Sequence, residues 1–145
     1  MKMLPVTYPD NYLSGIASLN LPCEEGTGDW HMLGTFDERN TKPIQFLAGR
    51  DLIEVLGTEG IEDRSQDADR AGIPRSGIVW ASNHARAIAD MVVRSVISGR
   101  VASHVRLDDW MPEEDQKKRV LYLLDKAKLL PAQRARMRQW VQTQL

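Results

Sequence analysis

The chain has 145 residues, 42% of them hydrophobic and 27% charged, which excludes the disordered class and leaves too little length for two full cores. A formal net charge of -1 removes any general attraction to nucleic-acid phosphates and leaves only local patches to consider. The single cysteine, Cys23, excludes an internal disulfide.

The N-terminal Met1 to Pro5 is followed by Thr7, Asp10 and Asn11 rather than by the apolar run of an export signal. Asp10 or Asn11 can cap a short helix carrying Tyr12, Ile16 and Leu19, which Leu21-Pro22 ends. Gly15 in its middle weakens that helix by about 1 kcal/mol relative to alanine. After a loop from Pro22 to Gly28, Trp30 to Phe36 suits a strand, and a polar turn leads through Pro43 to a second strand at Ile44 to Leu47; the two suggest a hairpin. Leu52, Ile53, Val55 and Leu56 fit a short helix opened by Asp51 or a strand equally well. Glu59 to Asp69, rich in acids, reads as an exposed, mobile loop, and Ile78, Val79 and Trp80 as buried residues beyond it.

The clearest element is a helix capped by Ser82 or Asn83 and running to about Ser98, with Gly99 as its stop. Arg86, Asp90 and Arg94 recur at four-residue spacing as one narrow polar stripe able to form a salt-bridge ladder, while Ala85, Ile88, Met91, Val92, Val93, Val96 and Ile97 cover the rest. This pattern predicts a largely buried central helix, in which Ile88→Asp or Val92→Asp prevents folding. It also falls short of the roughly 20 apolar residues that a membrane span needs. Asp108, Asp109, Pro112, Glu113 and Glu114 mark the start of a further helix to about Leu129, with Val120, Leu121, Leu123, Leu124 and Ala127 on one face. Pro131 opens a last helix whose Ala135, Met137, Trp140 and Val141 pack back. The fold class expected is α+β: one small domain with a short β-hairpin or small antiparallel sheet, the buried central helix and a C-terminal αα-hairpin, divided into a core over 1–107 and the hairpin over 108–145.

Two regions bear on function. The segment from Cys23 to His31 gathers a thiol, carboxylates and an imidazole in a glycine-containing loop, so Asp29 and His31, with His84 from the central helix, form a candidate acid-base set for a small hydrolase or nuclease. The plainer reading is a turn whose Trp30 anchors the core. Cys23 as a nucleophile needs a nearby base, and Glu24 and Glu25 oppose its ionisation. With no Cys-x-x-Cys, His-x-x-x-His or His-Glu-x-x-His spacing, no metal is assigned, and no Gly-x-Gly-x-x-Gly or P-loop pattern calls for a nucleotide; no cofactor is expected. A calcium loop at Asp67 fails because Ala71 and Ile78 fall where ligands are required.

The second region is the basic C-terminal hairpin, with Lys117, Lys118, Arg119, Lys126, Lys128, Arg134, Arg136 and Arg138 around Trp140. It can meet a negatively charged partner or grip nucleic acid, and the acidic segment carrying Glu62, Asp63 and Asp67 can meet it within the molecule or across a homo-oligomer. The leading expectation is a cytoplasmic, non-catalytic interaction or regulatory module, antitoxin-like or inhibitory, suited to a small bacterial gene cassette. It would bind a protein through Arg134, Arg138, Trp140, Glu62, Asp63 and Asp67. The hydrolase and the nucleic-acid binder are the alternatives.

Overall fold

The computed structural model describes residues 2–23, 36, 47–111 and 113–144. Along the chain these form β1 (Tyr12–Leu13), α1 (Gly15–Leu19), β2 (Leu47–Ala48), α2 (Arg50–Leu56), β3 (Ile61–Asp63) and α3 (Ser65–Arg70). They continue with β4 (Trp80–Ser82), α4 (His84–Ile97), α5 (Leu107–Trp110), α6 (Glu114–Asp125) and α7 (Pro131–Thr143). The protein is thus of the α+β class. Its small sheet has the order β2-β1-β4-β3. Tyr12 faces Ala48 and Ile61 faces Ser82 in antiparallel pairs, while Leu13 and Ala81 join the two central strands in parallel.

Helix α4 is the centre of the core, as its periodicity predicts. The Asn83 side chain accepts the Arg86 amide at 2.9 Å, which satisfies one of the amides left open at the start of a helix. Ala85, Ile88, Val92 and Val96 are fully buried, so a charge at position 88 or 92 has no route to water. Helices α1 and α2 pack on α4, as do α6 and α7, whose Val120, Leu124, Met137 and Trp140 share its apolar cluster. No helix among the described residues is long and apolar enough to cross a membrane.

Several expectations change. The first helix begins at Gly15, not near Tyr12; Tyr12 belongs to β1, and Gly15 takes φ +58° where strand turns into helix, a conformation that favours glycine there. The ambiguous run at 52–56 is helical. The supposed acidic loop is ordered as β3 and α3: Ser65 and Ala68 turn inward, Glu62, Asp63 and Asp69 stay outside, and Asp67 pairs with buried Arg64. Val79 is buried, but Ile78 is 52% exposed and Ile97, at the fraying end of α4, 42% exposed. Helix α6 stops at Asp125 rather than near Leu129. The hairpin expected between Trp30 and Leu47 falls largely outside the described residues; Leu47 itself lies in β2.

The polar stripe of α4 faces inward. Arg86 and Asp90, 0% and 3% exposed, pair at 2.8 Å, while Arg94 forms no pair with Asp90, so the expected ladder has a single rung. The Arg86 guanidinium also donates to the carbonyls of Gly57 (2.7 Å) and Glu59 (2.9 Å) and to the Tyr12 hydroxyl (3.0 Å). Tyr12 and Ser14 in turn donate to Asp90 Oδ2 at 2.8 and 2.6 Å. Burial pushes the Asp90 carboxyl upward against the opposing pull of Arg86, Ser14 and Tyr12, and burial together with the Asp90 charge holds the Tyr12 hydroxyl protonated.

Removing one member strands the other. Asp90→Ala should therefore lower the unfolding free energy by about 3–5 kcal/mol, read by urea denaturation. Gly60 passes so close that a Cβ there would lie 2.6 Å from Arg86 Cβ, whereas one on Gly72 meets only open space; both glycines have positive φ. Gly72→Ala should cost about 1–2 kcal/mol from backbone strain alone, and Gly60→Ala clearly more in the same assay.

Candidate functional site

Of the predicted acid-base set, Asp29 and His31 lie outside the described residues. His84 is the first residue of α4, only 4% exposed, and its Nε2 is 3.6 Å from the sulfur of half-buried Cys23. The two sites are 61 residues apart and are drawn together by Arg64. The Arg64 guanidinium donates to the Ser18 carbonyl and hydroxyl and to the Ser82 carbonyl, each at 2.9 Å, and to the Leu21 carbonyl at 2.8 Å. Its Nε meets Asp67 at 2.9 Å, so the buried cation is neutralised. Ser18 Oγ closes the link by donating to the Ser82 carbonyl. Arg64 thus fixes the backbone two residues before Cys23 and two before His84.

This pair supplies the base whose absence counted against Cys23 in the sequence. The imidazole of His84, at the N-terminal end of a 14-residue helix, thus stands beside the Cys23 thiol with a ring nitrogen able to accept its proton. Among the described residues no group of three or more His, Cys, Asp or Glu side chains could hold a metal ion. Sequence spacing had grouped His84 with His31; the partner actually placed beside it is signalled only by long-range packing. His84→Ala should slow alkylation of Cys23 by iodoacetamide at neutral pH, because it removes the adjacent nitrogen that can accept the thiol proton, with the rates followed by intact-mass spectrometry.

The acidic residues proposed to meet a partner are engaged locally. Glu62 accepts from Asn83 Nδ2 at 3.1 Å. Asp63 accepts from the Ser65 hydroxyl at 2.6 Å and amide at 3.0 Å, bonds that hold its carboxyl below the usual range and start α3. Asp67 sits between Arg64 and Arg70. The predicted contact between the acidic and basic segments is made, among the described residues, by Glu59 and Lys126 at 3.3 Å.

The basic hairpin is arranged differently from its sequence reading. Trp140 is not a surface residue: it is fully buried, with Nε1 donating to the Val105 carbonyl at 3.0 Å, because it falls on the face of α7 turned toward α4. Half-buried Arg134 donates to the carbonyls of Leu124 (3.1 Å) and Ala127, satisfying groups left open where α6 ends. Arg138 is exposed. Between α6 and α7 lies a groove of about 680 Å³. Leu121, Leu124, Met137 and Val141 line it with apolar surface; Lys118, Arg134 and Arg138 stand at its rim against one acid, Asp125. Lys118 and Arg138 form no ion pair among the described residues.

Neither a protein-family model, nor a curated protein, nor a solved structure matches this chain.

Proposed function

We propose that the protein is a non-catalytic interaction module, a regulator or inhibitor of antitoxin-like kind, that receives an acidic amphipathic helix of a partner protein in the groove between α6 and α7. The observation that carries this reading is the groove itself, an apolar channel between two helices with three cations and one acid about it. Apolar side chains of a docked helix would cover Leu121 and Val141, and its carboxylates would meet Lys118 and Arg138, which is how a helix is read by a groove and how charge selects among helices. The lone cysteine is consistent with a cytoplasmic setting.

The nucleic-acid reading is weakened by how many of the basic side chains are already engaged. Lys117 pairs with Asp108 and Glu114, Lys126 with Glu59, and Arg134 and Arg136 donate to backbone carbonyls. Few remain to face phosphates as a continuous stripe. The contact between Cys23 and His84 is what favours an enzymatic alternative, with His84 as the base.

Isolation of the tagged full chain from its own host tests the proposal. A stoichiometric protein should accompany the native chain, cross-link to α6 or α7, and be lost from the Lys118→Glu, Arg138→Glu double variant, with affinity reduced at least about tenfold by loss of two rim cations. Retention of the partner by that variant, or a chain that pairs only with its own copies, overturns it.

A further inference from the structure

The C-terminal end of α4 opens into a separate cleft of about 440 Å³, lined by Met91, Arg94, Ser95, Arg100, Val101, Ser103 and His104. Two guanidinium groups, an imidazole and two hydroxyls meet there with no carboxylate among the described residues that line it.

Arginines at this end of a helix ordinarily serve its unpaired carbonyls and the negative end of its dipole. Other groups already fill that role here. Arg136 donates to the Val96 carbonyl at 3.2 Å, the Ser98 hydroxyl to the Arg94 carbonyl at 2.8 Å, and the Arg100 amide to the Ser95 carbonyl at 2.9 Å. Among the described residues the side chains of Arg94 and Arg100 form no hydrogen bond or ion pair. Arg94 is the informative case. It is half-buried, and the other buried or half-buried arginines, Arg64, Arg86, Arg134 and Arg136, all donate to protein oxygens. Asp90, one turn before it, is neutralised by Arg86. The Arg94 guanidinium nitrogens are not buried away from solvent, so its five donors remain open to a ligand at the cleft.

We propose that this cleft binds the phosphate group of a small phosphorylated metabolite. Arg94 and Arg100 supply the planar, multiply donating groups suited to phosphate oxygens, with the Ser95 and Ser103 hydroxyls and His104 as further donors. Met91 and Val101 give an apolar wall for the organic part, and the volume lies within the range of small-molecule sites. The inference is independent of the groove between α6 and α7.

Isothermal titration calorimetry of the full chain with phenyl phosphate and with inorganic phosphate tests it. Phenyl phosphate should bind with one-to-one stoichiometry and more tightly than inorganic phosphate. Arg94→Gln and Arg100→Gln should each weaken it about tenfold or more, the effect of one lost charged hydrogen bond. Arg138→Gln, which removes a cation from the other groove, should leave the affinity unchanged. Neither arginine of the cleft forms a side-chain hydrogen bond or ion pair among the described residues, so both variants should keep the native melting temperature. Absence of binding, affinity unchanged in Arg94→Gln and Arg100→Gln, or equal loss in Arg138→Gln overturns the site; equal affinity for the two anions overturns its assignment to an organic phosphate.

Discussion

Arg86 is fully buried on the central helix, and the cost of burying its charge dictates what must gather around it. Its donors are met by Asp90 on the same helix, by the hydroxyl of Tyr12 on β1, and by two carbonyls of the turn between α2 and β3. None of these elements is long enough to be stable by itself, since β1 has two residues and α2 seven. The guanidinium gives them a shared fixed point, and its directional bonds determine where the turn must run. Gly60 is the consequence: only a residue without a Cβ lets the turn come this close to the Arg86 stem.

Arg64 repeats the same solution with other elements. It binds carbonyls at the exit of α1 and the end of β4, with Asp67 as its counter-charge. Two buried arginines therefore perform the long-range stitching that a larger sheet would perform with ladder hydrogen bonds. No buried polar side-chain atom among the described residues lacks a partner, which is the condition for such networks to hold a unique structure.

The same physics explains what the sequence revealed. Helix α4 was legible because its 14 residues carry a helical repeat, a capping asparagine and a terminal glycine, all local signals. Pro131 likewise marked α7. The strands of two or three residues carry no measurable alternation, so they are defined by pairing partners instead. Acid counting misread 59–70 because its order comes from Arg64, Ser65 and Ala68, residues that such counting passes over. Trp140 packs back as its place on the apolar face of α7 implies, and its inclusion among the partner-binding residues fails because a helix turns it and its arginine neighbours to different faces. Of the candidate site residues, Arg138 lines a groove, and His84 lies beside Cys23, which no spacing motif connects to it.

The candidate sites share a dependence on α4. Its N-terminal end presents His84 to Cys23, its C-terminal end carries Arg94 and Ser95 at the basic cleft, and its flank supports the two helices that border the apolar groove. A buried helix with locked side chains is the most rigid support the fold offers, and functional groups gain precision when they stand on such an element. The C-terminal end also follows the polarity of the backbone, since cations are favoured there. Arg94 departs from a purely structural use of that preference, since Arg136 and Ser98 already serve the terminal carbonyls and leave its donors directed to the cleft. The element that holds the core together is thereby also the one that positions the candidate sites.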